Sequence, residues 1–124
     1  MVMVKEIAFT AYPAADVERL VNFYSDTLGL KLYGKYEEDG KMQYAEFEVG
    51  NSWFSIMTHE WMDVPPGSAA GVALEVGDID EALKELESKG IAREDTHDTP
   101  VCRIATFKDP EGNKFTLHQT TRPH

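Results

Sequence analysis

The stretch DVERLVNFYSDTLGL, Asp16–Leu30, decides the fold of this chain. Its first residue is an aspartate, which can accept backbone N–H groups as a helix N-cap. The apolar residues that follow recur at spacings of three and four, as on one face of a helix. Gly29 stands where a helix ends in left-handed backbone. The stretch therefore predicts an amphipathic helix that begins after Asp16 and ends before Gly29.

A second copy of this pattern lies further along the chain. Asp78 can cap a helix, Glu81 supplies half of a capping box, and Gly90 ends it. Alternating and apolar runs bounded by Gly, Asn, Asp and Pro predict strands around both helices. The predicted strands are Glu6–Tyr12, Leu30–Tyr36, Gln43–Val49 and Trp53–Thr58 in the first half, and Gly71–Val76, Ile91–Asp95, Cys102–Phe107 and Phe115–Gln119 in the second. The order βαβββ thus occurs twice, which indicates an internal repeat.

The predicted fold class is α+β, with two βαβββ modules forming a curved mixed sheet around a shared cavity. The length of 124 residues suits a single domain over residues 1–124. Module one covers about residues 5–60, a Pro- and Gly-containing linker about 62–69, and module two about 70–119. The polar residues from Thr120 to His124 are expected to form a loose tail.

Composition narrows the function classes. The formal net charge is −10, which repels nucleic-acid phosphates and anionic lipids, so neither nucleic acid nor a membrane is an expected partner. The apolar start Met1–Val4 meets Lys5 at once and is too short for a signal peptide. Cys102 is the single cysteine, so no internal disulfide forms, and a cytoplasmic location is expected.

Strand alternation divides the side chains into a helix side and a cavity side. Phe54 and Ile56 have the parity of core residues, and so do Phe115 and Leu117. The side chains of opposite parity are predicted to face the cavity and bind a ligand: Tyr44, Glu46, Trp53, Ser55, Met57, Glu75 and Thr116. Trp53 and Tyr44 either stack on a planar ligand or fill the cavity.

Three residues are candidates for catalysis, namely Glu75, His59 and His118. A carboxylate on a cavity-facing strand is costly to bury without a partner. Glu75 is therefore either a general base or cation binder, or the ion-pair partner of Arg103 or Arg93. His59 and His118 either hydrogen-bond near strand ends, or bind substrate, transfer a proton, or hold a displaced metal with a carboxylate.

The residues Phe23–Leu30 after the Asp16 cap, together with the turn Asp109–Asn113, resemble the vicinal-oxygen-chelate superfamily. That group includes glyoxalase I, bleomycin-resistance proteins, fosfomycin-resistance enzymes and extradiol dioxygenases. The resemblance spans Lys5 to about Gln119 and implies the paired-module fold. In members of the bleomycin-resistance type the pocket forms between two chains, so the resemblance implies a homodimer.

Metal-dependent members of the superfamily hold a divalent ion through His, Gln or Glu. Carried over position by position, the resemblance assigns these ligand places to Phe9, Ser55, Gly71 and Thr116. Phe and Gly cannot coordinate through their side chains, and Ser and Thr hydroxyls are weak donors. The expectation is therefore no metal site and no cofactor.

Three functions remain open at this stage. The first is a glyoxalase/bleomycin-resistance-like protein that binds a small molecule, planar and cationic or neutral, without the usual metal. The second is an enzyme of the lyase, isomerase or dioxygenase-like kind that uses Glu75, histidines or a displaced metal. The third is a degenerate module with an interaction role. The sequence leaves the ligand and the pathway undetermined.

Overall fold

Two four-stranded mixed sheets, each with a helix packed on it, form this chain. A computed structural model describes residues 1–121. Their contacts divide into two compact units, Met1–Pro65 and a second that begins at Pro66. Each unit has the order βαβββ, so the predicted α+β fold of two repeated modules is confirmed.

The first unit contains strands β1 (Thr10–Ala14), β2 (Lys31–Glu38), β3 (Lys41–Val49) and β4 (Ser52–Thr58), with helix α1 (Val17–Asn22), a π-helical segment (Phe23–Thr27) and helix α2 (His59–Met62). The strand order across its sheet is β1-β4-β3-β2, in which β1 runs parallel to β4 and the other pairs are antiparallel. β1 therefore lies at one edge of the sheet.

The second unit contains strands β5 (Ala70–Glu75), β6 (Asp95–Asp98), β7 (Cys102–Lys108) and β8 (Lys114–Thr120), with helix α3 (Ile79–Ser88). Its strand order β5-β8-β7-β6 repeats the order of the first unit strand for strand, again with one parallel pair. No helix among residues 1–121 is long and apolar enough to cross a membrane.

The helix ends follow the sequence signals. Asp16 Oδ1 accepts the backbone N–H of Arg19 at 3.1 Å, and Asp78 Oδ1 accepts that of Glu81 at the same distance. Gly29 has a φ of 70°, the left-handed backbone that glycine adopts without strain. Both predicted N-caps and the predicted end of the first helix are confirmed.

Each unit has its own apolar core between the sheet and the helix. In the first unit, Phe54 meets Tyr12 and Tyr24 edge to face, with ring centroids 5.1 Å apart in both pairs. In the second, Phe107 and Phe115 stack at 5.3 Å, and Ile79 and Leu86 are buried on α3. Because these side chains alternate with others along the strands, one face of each sheet remains uncovered by its helix.

Three sequence predictions are wrong in position. The first strand begins at Thr10 instead of Glu6 and runs through Pro13 to Ala14 instead of ending at Tyr12, so both predicted ends are wrong. The sixth strand is Asp95–Asp98, not Ile91–Asp95. Thr120 belongs to β8, so the predicted tail is shorter, and the remainder of that prediction, at residues 122–124, lies outside the described residues.

Candidate functional site

One face of the first sheet brings together five of the predicted ligand-binding residues. Phe54 packs on Tyr24 in the helical layer, so strand alternation turns its neighbours to the opposite side. Phe47 on β3 is fully buried, so its neighbours on that strand are likewise turned to the opposite side. The open face is the set of side chains on the side away from α1: Tyr44, Glu46, Trp53, Ser55 and Met57.

A chain of hydrogen bonds connects three of these residues. The Tyr44 hydroxyl donates to Glu46 Oε2 at 2.8 Å and lies 3.2 Å from Ser55 Oγ. A phenol has one hydrogen, so when Tyr44 donates to Glu46 the Ser55 hydroxyl must donate to Tyr44. Ser55 is fully buried, and it stands directly opposite Glu46 in the strand register. The chain therefore runs from buried Ser55 through Tyr44 to the carboxylate of Glu46.

The protonation state of Tyr44 agrees with its donating a hydrogen bond to Glu46. Burial raises the pKa of the Tyr44 phenol above its ordinary value, and the bond and charge of Glu46 add to that effect, while the bond to Ser55 opposes it. The phenol therefore keeps its proton at neutral pH and remains a donor. Tyr44 holds the Glu46 carboxylate in a fixed orientation on the open face.

The carboxylate of Glu46 is accessible from the neighbouring strand. A Cβ atom at Gly34 would lie 3.7 Å from Glu46 Oε1, so the glycine leaves that oxygen uncovered by a side chain. Within residues 1–121 Glu46 makes no ion pair. The open face thus presents a negative charge without a cationic partner from the described part of the chain.

Aromatic rings border the open face at two places. Trp53 meets Tyr33 edge to face, with centroids 4.8 Å apart. On the other side of the carboxylate, Tyr44 stacks on Trp61 at 6.4 Å with an interplanar angle of 23°. Sequence reasoning missed Trp61 because it lies in α2, a four-residue helix too short to show a periodic pattern. Thr58 caps this helix, which was the one local signal.

The open side of the second sheet carries the other two predicted ligand-binding residues, Glu75 and Thr116. Glu75 and His118 are register partners on β5 and β8, and Glu75 Oε1 pairs with His118 Nδ1. Glu75 Oε2 also accepts the backbone N–H of Thr120 at 2.8 Å. Thr116 lies two residues before His118 and is partly buried. Two of the three catalytic candidates are thus in contact with each other.

The alternative that pairs Glu75 with Arg103 is not realised, and His59 lies at the end of a strand, as predicted. Arg103 forms a bidentate pair with Asp80 and a further bond to Asp98 instead of contacting Glu75. The hydrogen bonds from Arg103 hold the pKa of Asp80 below its ordinary value. Strand β4 ends at Thr58, the capping residue of α2, and His59 is the first residue of that helix.

The four positions assigned to metal ligands do not fit a metal ion. Phe9 precedes β1 with its ring half exposed, and Gly71 has no side chain. The Ser55 hydroxyl is bonded to Tyr44, and Thr116 supplies one neutral hydroxyl. Among residues 1–121 no three His, Cys, Asp or Glu side chains form a group that could hold a metal. The metal-free expectation stays a prediction.

Comparisons with known proteins agree on the family. The profile of the Glyoxalase/Bleomycin resistance protein/Dioxygenase superfamily matches residues 6–117. The metallothiol transferase FosB of Staphylococcus saprophyticus is 27% identical over 127 residues, covering 96% of this chain and 80% of FosB. TnmS3, an antibiotic binding protein from Streptomyces sp. CB03234, superposes with a TM-score of 0.80 at 26% identity, covering 98% of this chain and 100% of TnmS3.

A second solved structure extends the same likeness. A glyoxalase/bleomycin resistance protein from Streptomyces sp. CB03234 superposes with a TM-score of 0.74 at 29% identity, covering 92% of this chain and 100% of that protein. The family profile covers most of the sequence, including the Asp16 helix and the Asp109 turn. The chain belongs to the glyoxalase/bleomycin resistance protein/dioxygenase superfamily.

Proposed function

We propose that this protein binds a small planar organic molecule, cationic or neutral, on the open face and without a metal ion. The observation that carries the proposal is the Ser55–Tyr44–Glu46 chain, which holds a carboxylate beside exposed aromatic rings. A fixed carboxylate favours a positive group, and aromatic rings favour a flat apolar body. Together these two features describe a planar ligand with no negative charge.

The remaining charges favour the same class of ligand. The net charge of −10 attracts cations toward the protein and disfavours organic anions. TnmS3, which is similar to this chain over 98% of its length, is described as an antibiotic binding protein. That description supports binding without turnover as the first proposal for this chain.

We also propose a cytoplasmic homodimer. Residues 1–9 precede the edge strand β1 and carry exposed apolar side chains, namely Met1, Val2, Met3, Val4, Ile7 and Phe9. A segment rich in exposed apolar residues beside a sheet edge is typical of a surface that a second chain covers. Light scattering during the binding measurements is expected to give twice the chain mass of 13.9 kDa.

Proflavine, a planar cationic dye, is expected to bind, whereas naphthalene-2-sulfonate is not. Isothermal titration calorimetry measures both. Glu46→Gln removes the negative charge and is expected to weaken proflavine binding about tenfold, since such contacts contribute roughly 1–1.5 kcal/mol. Gly34→Val covers Glu46 Oε1 from the neighbouring strand and is expected to have a similar effect.

The control is Glu85→Gln, which changes the net charge equally at an exposed residue of α3 in the second unit. Its affinity for proflavine is expected to match that of the unmodified protein. Equal weakening by Glu46→Gln and Glu85→Gln would show that the dye responds to overall charge, and would contradict the open face as the binding site.

Metal analysis of the purified protein is expected to find divalent ions well below one per chain. Zn²⁺, Mn²⁺ and EDTA are each expected to leave the thermal midpoint unchanged, because a bound metal stabilises a fold in proportion to its affinity. A stoichiometric ion, or a midpoint that rises with one metal and falls with EDTA, would overturn the metal-free proposal.

The Glu75–His118 contact favours a second candidate function, acid–base catalysis. A carboxylate that bonds one ring nitrogen of a histidine fixes the orientation and tautomer of the ring. Mass spectrometry of a bound ligand after prolonged incubation separates the two functions. Recovery of unchanged ligand supports binding alone. A product that disappears in Glu75→Gln while affinity remains would support the enzyme instead.

A further inference from the structure

A depression at the end of the β2–β3 hairpin lies beside the open face, and apart from Trp61, which borders that face, its residues take no part in the proposed planar-ligand site. It encloses about 370 Å³ and is lined by Trp61, Glu38, Asp39, Glu60, Lys41 and Thr58, among others. We call it the Trp61 depression. All of these residues belong to the first unit.

The Trp61 ring is the largest apolar surface of the depression. Its side chain is 52% exposed, although indole rings are ordinarily well covered in folded proteins. Tyr44 stacks on it at 6.4 Å, and the Tyr36 ring lies 6.2 Å away at an angle of 39°. Three aromatic rings therefore meet at this point, and the indole remains available to a ligand.

Carboxylates line the same depression as this ring. Glu38 accepts the Tyr36 hydroxyl at 3.3 Å, while Asp39 and Glu60 make no ion pair within the described residues 1–121. Lys41 is the one cation among the lining residues of the depression. Three carboxylates against one ammonium leave the depression with a net negative charge.

Local structure fixes the main chain at two of these acidic residues. Asp39 has a φ of 54° in the tight turn between β2 and β3 and is exposed at the hairpin end. Glu60 is held by its backbone N–H, which donates to the capping Thr58 hydroxyl at 3.5 Å. The acidic residues and the indole thus line one concave surface.

We propose that the Trp61 depression binds an alkylammonium group, as a second binding site next to the planar-ligand site. A cation over an indole face gains from the ring's electrostatics, and neighbouring carboxylates add to the attraction. An exposed indole with acidic neighbours excludes anions and gives a neutral group only the apolar part of this contact. The inference does not depend on the planar ligand, since an alkylammonium without a ring is sufficient to occupy the depression.

Tetramethylammonium chloride tests the site, with tert-butanol as a neutral molecule of similar shape. The chain has two tryptophans, so a ¹H–¹⁵N spectrum shows two indole N–H signals, and the Trp61→Leu spectrum identifies which belongs to Trp61. Tetramethylammonium is expected to shift the Trp61 signal with a Kd on the order of millimolar, and the Trp53 signal much less. tert-Butanol is expected to shift neither comparably.

Charge variants complete the test and do not depend on tolerance of Trp61→Leu. Asp39→Asn with Glu60→Gln is expected to raise the Kd about fivefold, and Glu18→Gln with Glu85→Gln, equal in charge but outside the depression, to leave it unchanged. Equal shifts with tert-butanol, equal shifts of both indole signals, or equal weakening by both double variants would overturn the proposal. Loss of proflavine binding with retained tetramethylammonium binding would overturn the planar-ligand proposal alone.

Discussion

Asp109→Ala is expected to destabilise the second unit by about 4 kcal/mol, because it leaves several buried donors without an acceptor. Asp109 is 5% exposed. Its Oδ1 accepts the backbone N–H groups of Glu111 at 2.9 Å and Asn113 at 3.0 Å, and its Oδ2 accepts the Asn113 side-chain amide at 3.1 Å. Each unsatisfied buried donor costs roughly 1–3 kcal/mol.

The same turn also holds the start of the second unit. Asn113 Oδ1 accepts the backbone N–H of Ala69 at 3.0 Å, just before β5. Gly67 lies so close that a Cβ there would be 2.5 Å from the Glu111 carbonyl oxygen. When Asp109 is removed, Asn113 loses the partner that orients it, so the attachment of β5 to β8 weakens as well. The Asp109–Asn113 turn is therefore expected to contribute strongly to the stability of the second unit.

Urea unfolding followed by far-ultraviolet circular dichroism measures this effect. Asp109→Ala is expected to lower the midpoint by about 2 M. Asp109→Asn keeps one oxygen for the two backbone donors and is expected to lose about half as much. Asp95→Ala, whose exposed carboxylate makes one local bond to Thr96, serves as the control and is expected to change the midpoint little. A loss below about 1 kcal/mol in Asp109→Ala would contradict the assigned role.

The sequence predicts correctly those parts of the fold that depend on residues close together in the chain. The caps at Asp16 and Asp78 are confirmed because a cap depends on residues three positions away. The end of the first strand is misplaced because proline ordinarily breaks a strand, yet this edge strand tolerates Pro13 since the missing N–H need not be paired. The sixth strand is displaced because all four of its residues are exposed, so no apolar pattern marks it.

The candidate site depends on contacts that a single sequence does not specify. Alternation correctly grouped Tyr44, Glu46 and Ser55 on one face, but their hydrogen bonds require the exact register between β3 and β4. The contact of Glu75 with His118 likewise depends on the pairing of β5 with β8. Trp61 approaches Tyr44 only because α2 folds back after β4.

Phe54→Ala is expected to cost the first unit about 4 kcal/mol, the usual range for emptying a buried aromatic position. Phe54 is 3% exposed and contacts three rings. Tyr12 and Tyr24 meet it edge to face at 5.1 Å, and Phe47 stacks at 6.3 Å. Each aromatic pair adds roughly 0.5–1.5 kcal/mol beyond the area it buries. The substitution therefore removes the centre of the first unit's core.

The adjacent residue supplies a matched control, because Trp53 is larger but faces the other side of β4. Trp53→Ala is expected to cost about 1 kcal/mol in urea unfolding and to weaken proflavine binding, whereas Phe54→Leu is expected to cost about 1.5 kcal/mol with binding retained. Phe54 is thus expected to affect mainly stability, and its neighbour Trp53 mainly ligand binding. If Trp53→Ala proved as destabilising as Phe54→Ala while proflavine affinity stayed unchanged, Trp53 would be a core residue, and the ring that borders Glu46 would serve packing instead of recognition.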